Sequence, residues 1–393
     1  MLYIQSIIVY TMLALLMCYG AYRSQGISPK SQLWGWLPIV LFTFVFGLRY
    51  GVGVDYNNYV EIFEETDNYS SFFELLDNER YELGFSLLLY LCHLLHAPVW
   101  FLFTIIAFIQ ISLLYKAFKD EGNILIYIYA TFILTGFCVA NFMNILRHEI
   151  AFCIFLYSLK YIRSKQLIRY WICCFLALAF HHSALLLFPI YFVWIKRSDF
   201  FRSPLIELAI VLVCFASSFF SKWQDFLHLF DNLITLLGYE QYLDTADNLL
   251  LSTKIGITRI FYLVINILII VNSREIKAYY KSDLLNMIYD LYIVGISLGY
   301  VFMGSMMLMR AIVFFNHTQF IIWAYTLCYY YHVRRVGIKQ YAKYIAIVLF
   351  VFYSYSTFIF RSMQNTDAYV FYFQENLHAT KDQLRQKMMD NRP

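Results

Sequence analysis

The sequence predicts an all-α, polytopic integral membrane protein with about 12 transmembrane helices, within a range of about 11 to 14. Of the 393 residues, 61% are hydrophobic and only 14% are charged, whereas soluble domains carry about 25% charged residues. Apolar blocks run from Leu2 to Phe360 and are separated by short polar connectors. Because a backbone exposed to lipid must satisfy its own hydrogen bonds, each block is expected to be helical.

Each predicted span is a mostly apolar block, close to the roughly 20 residues that cross a bilayer. The block 83–96 is too short, and we predict that it forms a re-entrant or surface helix. The alternative has two full spans between 83 and 118, and it puts one connector on the wrong side for its charge. The predicted spans are 2–20, 34–48, 99–118, 123–141, 145–162, 166–181, 183–196, 204–220, 257–272, 284–302, 311–331 and 341–360.

The predicted domain organisation is a single polytopic membrane domain, 1–360, followed by a polar C-terminal tail, 361–393. From Lys116 onward, basic residues concentrate in every second connector, and the positive-inside rule assigns these connectors to the cytoplasm. The two long loops, 49–82 and 221–256, are then external. The first loop is acidic, and its apolar residues recur at helical spacing, so we expect short amphipathic helices on the outer membrane surface.

Several classes of partner are not expected. The net charge is +4 and no long basic run is present, so nucleic acid is excluded as a partner. The eight cysteines lie in apolar stretches without CxxC spacing, which indicates packing thiols rather than metal ligands or disulfides. The external loops contain no DxD motif. The sequence therefore predicts neither a bound metal nor a cofactor.

The first candidate motif lies where the chain leaves the second span. Arg49 follows the span directly, Gly51 and Gly53 allow a sharp turn or close approach to a ligand, and Asp55 opens a helix that carries Tyr56 and Tyr59. A functional interpretation makes these residues part of a substrate site. A purely structural interpretation is a snorkelling arginine, turn glycines and an N-cap aspartate.

Two further motifs lie at outer ends of spans. Arg147, His148 and Glu149 enter an apolar helix together, and charges inside a membrane are costly and usually face a cavity or a partner. Arg147 and Glu149 are two residues apart and so do not share a helix face. His182 lies in the external turn His181-His182-Ser183-Ala184, where a histidine could act as a base or donor. An ordinary interfacial histidine is the structural alternative.

The fourth motif is Arg310 with Asn316 and His317. Residues 310 and 317 are seven apart, which predicts that they share one helix face. With Arg49 and Arg147, Arg310 places three arginines on the predicted outer side, against the trend of the other basic residues. Arginine forks match phosphate oxygens, so an external cavity with these arginines suits a lipid substrate that carries a phosphate or pyrophosphate.

At these residues the sequence resembles the EpsG-like family of bacterial polysaccharide polymerases. In order and spacing the resemblance covers about residues 47 to 315, and only Arg310 carries it in the last third. Its motifs are Arg49-Tyr50-Gly51-Val52-Gly53-Val54-Asp55-Tyr56 with Tyr59 and Phe63, Tyr81-Glu82-Leu83-Gly84, Arg147, His182-Ser183-Ala184 and Arg310.

The resemblance implies a Wzy-type polymerase, similar to multi-span lipid-dependent glycosyltransferases. Donor and acceptor would be O-antigen, capsule or exopolysaccharide repeat units on undecaprenyl pyrophosphate, at the outer face of the inner (plasma) membrane. A separate chain-length regulator is a further implied partner. The implied catalytic residues are Asp55, His182 and Arg147, and the implied substrate-binding residues are Arg49, Tyr56, Tyr59, Glu82, His148, Arg310 and His317.

Within this scheme Arg147 and Arg310 would hold the pyrophosphate, and Arg49 and Asp55 would shape the acceptor side. Either His182 or Asp55 would be the base.

Two rival functions are weighed against this one. A flippase or transporter of lipid-linked polysaccharide units would also have many spans and buried arginines, but transporters often contain internal repeats with helices broken at the membrane midplane. No repeat is visible here, and the charged motifs lie at outer span ends. A membrane acyltransferase would need a His/Asp pair on the cytoplasmic side. A structural subunit would not need this set of ionisable residues.

Overall fold

The computed structural model describes residues 2–26, 28–77, 81–136, 138–197, 199–219, 257–303, 306–360 and 365–390. Across these ranges the ordered elements are helices, joined by one isolated antiparallel bridge between Arg49 and Phe371. The all-α prediction is thus confirmed for the part of the chain that the structure describes. The predicted external loop 221–256 lies outside the described residues.

The chain forms two compact units. The first unit comprises Met1–Ser158, Phe175–His181 and Val351–Pro393, and the second comprises Leu159–Cys174 and His182–Phe350. Each unit is described by itself below.

The first unit contains the N-terminal helices and the C-terminal segment. Its helices are α1 (Leu2–Arg23), α2 (Pro29–Trp34), α3 (Trp36–Gly47), α4 (Tyr56–Glu65), α5 (Phe72–Asp77), α6 (Leu83–Leu94), α7 (Val99–Phe118), α8 (Ile124–Thr135) and α9 (Val139–Asn144). It also contains most of α10 (Leu146–Arg163) and the last part of α11 (Leu167–Leu178).

The second unit contains a helical core of its own. Its remaining helices are α12 (Ile190–Trp194), α13 (Pro204–Ser217), α14 (Ile257–Val271), α15 (Ser273–Tyr280), α16 (Asp283–Val301), α17 (Met306–Ala311), α18 (Val313–Asn316), α19 (Gln319–Val333) and the first part of α20 (Ile338–Phe360). The end of α20 and the final helix α21 (His378–Asp390) belong to the first unit.

Four helices among the described residues are long and apolar enough to cross a membrane: Leu2–Arg23, Val99–Glu121, Asp283–Val301 and Ile338–Phe360. Shorter apolar helices accompany them, so the chain is a membrane protein, but the predicted count of about 12 spans is not confirmed.

Some predicted spans are interrupted. The span 123–141 is broken where Gly136 adopts a left-handed conformation with φ of 63° and ends α8. Glycine is the residue that most readily ends a helix in this way.

The position of α6 follows from its contacts within the first unit. At its beginning, Phe85 lies against Tyr59 of the external loop, with ring centroids 6.0 Å apart. At its end, Nδ1 of His93 lies 2.8 Å from Oδ1 of Asp67, which belongs to the same loop. The helix has 12 residues, about 18 Å of rise, against a hydrocarbon core of about 30 Å. These contacts support a re-entrant or surface helix rather than a full span.

This arrangement predicts the accessibility of introduced cysteines. We expect Asn68→Cys and Leu95→Cys to react with a membrane-impermeant maleimide applied outside intact cells, and Asp120→Cys to react only after permeabilisation. All three positions are exposed. The chain with its eight native cysteines is the control for background labelling. Labelling of Leu95→Cys only after permeabilisation would contradict this placement and make α6 a full span.

The start of α1 and the C-terminal segment meet at one end of the first unit. Leu2 forms an apolar cluster with Ala368 and Val370. The hydroxyl of Tyr10 donates to the carbonyl of Thr366 at 2.8 Å. The turn after α3 lies at this same end, because the bridge described above joins it to the C-terminal segment. The candidate site is built on this end.

Candidate active site

The turn after α3 is shaped by two glycines. Gly51 has φ of 61° and Gly53 has φ of 105°, conformations that side chains with a Cβ rarely adopt. A Cβ added at Gly53 would lie 2.7 Å from Oδ1 of Asn144 and 3.1 Å from the carbonyl oxygen of Met143. The second glycine therefore lets the turn approach the end of α9 closely.

Arg49 is a buried connector between helix ends. It is 1% exposed, and its guanidinium donates to the carbonyls of Val52 at 3.2 Å, Met143 at 3.1 Å and Phe46. Phe46 and Met143 lie in the last turns of α3 and α9, where carbonyls have no partner within the helix and a positive charge is favourable.

The Arg49 guanidinium also lies over the ring of Phe103, 4.4 Å from its centroid. Burial lowers the pKa of Arg49 to about 10, so the group stays protonated at neutral pH.

Asp55 precedes α4 without capping it. It has φ of −85° and ψ of 6°, and its side chain makes no capping hydrogen bond to the helix. Its backbone N–H donates to Oδ1 of Asn144 at 3.3 Å. Asp55 is partly exposed. Asp55 therefore occupies the N-cap position of α4 without a side-chain cap, and its backbone is held by Asn144.

Two tyrosines on α4 fix the neighbouring helices. The hydroxyl of Tyr59 accepts a hydrogen bond from the N–H of Leu146, the first residue of α10, at 3.2 Å. The ring of Tyr56 stacks on Phe103 with centroids 5.1 Å apart. Burial raises the pKa of Tyr56 to about 12 although Arg49 opposes the rise, and burial also raises the pKa of Tyr59, opposed by Arg147. Both hydroxyls are protonated at neutral pH.

Arg147 and Glu82 form an ion pair at the start of α10. Nη1 of Arg147 donates to Oε2 of Glu82. The Arg147 side chain keeps 28% of its surface exposed, whereas the Glu82 side chain keeps 6%. The guanidinium lies 5.6 Å from the ring centroids of both Tyr81 and Phe85. Arg147 is thus a partly exposed cation that is held by an ion pair and flanked by two aromatic rings.

Gly84 explains how Glu82 reaches this position. The Gly84 N–H donates to the carbonyl of Ala179 at 2.6 Å, and a Cβ at Gly84 would lie 2.8 Å from that oxygen. The absence of a side chain lets the start of α6 lie directly against the segment 179–181. Glu82 precedes α6 by one residue and so meets the start of α10.

A histidine pair lies beside Arg147. His148 is 2% exposed, and its ring meets that of His181 edge-on with centroids 4.5 Å apart. His181 is partly exposed. Among the described residues no group of three or more His, Cys, Asp and Glu side chains forms a metal-ligand set.

The first unit thus brings together seven of the residues predicted from the sequence: Arg49, Asp55, Tyr56, Tyr59, Glu82, Arg147 and His148. The other three belong to the second unit. There, His182 is exposed at the start of the 3-10 helix His182–Leu187, Arg310 is partly exposed in α17, and His317 is buried.

The shared helix face predicted for Arg310 and His317 is wrong. The chain is not one helix between them, because α17 ends at Ala311, α18 covers Val313–Asn316 and α19 begins at Gln319. A spacing of seven residues implies a common face only along a continuous helix.

Three further residues in the first unit have a part in this arrangement that the sequence did not assign to them. Asn144 holds Asp55, His181 contacts His148, and Asn365 donates from Nδ2 to the carbonyls of Gly51 and Gly53 at 2.9 and 3.5 Å. Asn144 and His181 belong to the predicted motifs 144–149 and 181–184, so their sequence positions were a usable signal. Asn365 lies in the predicted polar tail and carried no such signal.

The close approach of Gly53 to α9 gives a stability prediction. Gly53→Ala should lower the free energy of unfolding by about 2–4 kcal/mol, because it adds both backbone strain and a clash. Gly122→Ala is the control, since Gly122 likewise has a positive φ, of 61°, but nothing lies within 4 Å of an added Cβ, and it should cost only the backbone strain, about 1–3 kcal/mol. Thermal unfolding of the purified protein in detergent measures both. Equal losses would contradict the packing described for Gly53.

The family model described as the EpsG family matches residues 33–372. The chain belongs to the EpsG family. Searches among curated proteins and among solved structures find no match.

EpsG family membership associates the chain with membrane-bound polysaccharide biosynthesis and a polymerase-like, glycosyltransferase-type role. The matched range contains the turn after α3, the Glu82–Arg147 pair and the histidines. It also reaches Tyr372, so it includes the first part of the C-terminal segment that bonds to the turn.

Proposed function

We propose that this chain joins undecaprenyl-pyrophosphate-linked oligosaccharide repeat units into a surface polysaccharide at the outer face of the inner membrane. The observation that carries the proposal is the Arg147 side chain, which is held by Glu82 and flanked by Tyr81 and Phe85 but keeps 28% of its surface exposed. An arginine side chain that is held in place and partly exposed, at the end of a helix, suits a pyrophosphate whose lipid chain lies in the membrane.

The reaction is a glycosyl transfer. A hydroxyl of the acceptor sugar attacks the anomeric carbon of the donor unit, a new C–O bond forms, and the bond from that carbon to the pyrophosphate oxygen breaks. Undecaprenyl pyrophosphate leaves with the electron pair, and Arg147 stabilises the charge that develops on its oxygens. The hydroxyl proton passes to a base, for which Asp55 is the candidate in the first unit and His182 the candidate in the second.

The other residues of the first unit support this centre. Glu82 orients Arg147, and Tyr59 fixes the start of α10, which carries Arg147. Arg49 is assigned a positioning role in this proposal instead of direct substrate binding, since three carbonyls already accept hydrogen bonds from its guanidinium. Arg310 and His317, which belong to the second unit, remain proposed substrate-binding residues.

The external location rests on the charge pattern. The acidic loop 49–82 and the residues of the site lie at the same end of the first unit, and basic residues concentrate in the connectors that are predicted to be cytoplasmic. Polymerisation on that side would use lipid-linked units that have already crossed the membrane.

A gene deletion tests this function. The surface glycan and the pool of lipid-linked repeat units are then examined. Loss of a polymerase should leave glycans of a single repeat unit and an otherwise intact export route, and the native gene should restore the long chains. Loss of a flippase should leave no externally exposed repeat units, which would replace the proposed function by the transporter alternative.

A further inference from the structure

The C-terminal strap, defined as residues 365–382, is bonded along the turn after α3. The Tyr50 N–H donates to the carbonyl of Val370 at 2.9 Å, and the Tyr372 N–H donates to the carbonyl of Leu48 at 2.7 Å. These bonds form the only strand-like pairing in the described part of the chain. They connect the end of the sequence to the motif that precedes Asp55.

Asn365 extends this pairing to both glycines. Its carbonyl accepts from the Gly53 N–H at 2.9 Å, while its Nδ2 donates to the carbonyls of Gly51 at 2.9 Å and Gly53 at 3.5 Å. Asn365 has φ of 53°, a conformation that asparagine adopts more readily than most residues. The backbone and the side chain of Asn365 thus hydrogen-bond both glycines of the turn.

Lys381 fixes the side chain of Asn365 by a hydrogen bond. It is fully buried, and its Nζ donates to Oδ1 of Asn365 at 3.0 Å and to the carbonyl of Asp367 at 2.9 Å. A buried ammonium is costly unless its donors are used. Its stem also lies under the turn, because Cγ would be 3.1 Å from a Cβ at Gly51. Burial raises the pKa of Asp367, and Lys381 opposes that rise.

Two other side chains of the strap, those of His378 and Asp382, contact Tyr50. The His378 ring stacks on the Tyr50 ring with centroids 3.4 Å apart and an angle of 5° between planes. The Tyr50 hydroxyl donates to Oδ2 of Asp382 at 3.1 Å. His378 and Asp382 flank Lys381 in α21. The same helix therefore contacts the turn through the buried Lys381 and through these two more exposed side chains.

We infer that Lys381 and Asn365 are positioning residues for the transfer reaction: through the strap they fix the Gly51–Gly53 turn and thereby the position of Asp55. This inference rests on the proposed function. Asp55 follows Gly53 by two residues, and its backbone N–H donates to Oδ1 of Asn144 in α9. The turn has no regular secondary structure of its own, so the strap and α9 together determine where the carboxylate lies.

The test compares two substitutions in the full-length chain that have the same backbone conformation. Asn365→Gly removes the side-chain bonds to Gly51 and Gly53 without strain, since glycine accepts a positive φ. Ala368→Gly is the matched control, because Ala368 also has φ of 53° and lies in the strap but makes no side-chain bond to the turn. Lys381→Met and Lys381→Arg complete the set.

Two readouts are measured on purified proteins. Hydrogen exchange reports on the amides of residues 48–55 independently of activity. Initial rates of chain extension are measured with lipid-linked single repeat units extracted from the deletion strain. Asn365→Gly and Lys381→Met should increase exchange at 48–55 and lower kcat by about 10- to 100-fold with KM changed by less than about threefold, since small misplacements cost rates of this order. Lys381→Arg should retain more activity than Lys381→Met.

The outcomes separate this inference from the proposed function. If Asn365→Gly matches Ala368→Gly in exchange and in kcat, the inference is overturned, and it is equally overturned if exchange rises while kcat is unchanged. Should Lys381→Met fail to accumulate, the Asn365→Gly pair still decides. The proposed function has its own test in Arg147→Ala, which would stay inactive even if the strap had no effect on kcat.

Discussion

Replacing Arg147 with alanine should lower the initial rate of glycan chain extension by about 100-fold or more, the usual effect of removing a group that stabilises developing negative charge. The reason is that Arg147 places a positive charge in the first unit's site on a side chain that keeps 28% of its surface exposed. Lipid-linked repeat units from the deletion strain serve as donor and acceptor in this assay.

Three further variants test whether the loss of activity in Arg147→Ala is specific to this guanidinium. Arg147→Lys keeps the charge but loses the planar fork, so a smaller loss is expected. Because Arg147→Ala leaves the Glu82 carboxylate buried without this partner, the double variant Arg147→Ala/Glu82→Gln should recover protein abundance but not activity. Arg163→Ala, at the other end of α10, should retain near-normal rates. Equal rates for Arg147→Ala and Arg163→Ala would remove Arg147 from the mechanism.

Arg49→Met should prevent accumulation of folded protein. Three main-chain carbonyls, those of Phe46, Val52 and Met143, lose their donor, and each buried unsatisfied carbonyl costs about 1–3 kcal/mol. The sum is a large part of the roughly 5–15 kcal/mol that stabilises a typical protein. Abundance in membranes and thermal unfolding in detergent measure the effect.

The matched control for Arg49 is Arg23→Met, because Arg23 is exposed at the end of α1 and should tolerate the change. Arg49→Lys should recover little, since a single ammonium cannot reach carbonyls on three segments. If Arg49→Met accumulated normally and only lost activity, the structural role would be wrong and the sequence-based assignment to substrate binding would be preferred.

The helical membrane character could be predicted from the sequence, because it depends on local composition. Hydrophobic blocks and charge placement are properties of short windows. They do not determine where an apolar block breaks. At Gly136 the chain stops α8 inside the predicted span 123–141, and the apolar residues on either side gave no indication of a break.

The role of Arg49 could not be read from its motif. A basic residue after a span is compatible with snorkelling, ligand binding or helix capping, and these alternatives differ only in which atoms lie nearby. The deciding partner is Met143, which is 94 residues away in the sequence. A spacing rule within one segment has no access to such a contact.

The strap was missed for the same physical reason at a larger scale. The bond from Asn365 to Gly51 joins residues 314 positions apart, and the composition of 361–393 is that of an ordinary polar tail. The strap is held against the protein because Gly51 and Gly53, both with positive φ, form a turn whose backbone hydrogen-bonds to Asn365. Lys381 lies in this predicted polar tail, and the structure buries it completely.

The most direct test of the central claim is the length distribution of the surface glycan in cells whose only copy of this chain carries Arg147→Ala. At membrane abundance equal to that of Arg163→Ala, the account predicts glycans of a single repeat unit and a growing pool of lipid-linked single units. A normal distribution of long chains at that abundance would contradict the claim that Arg147 is at the centre of a polymerase site.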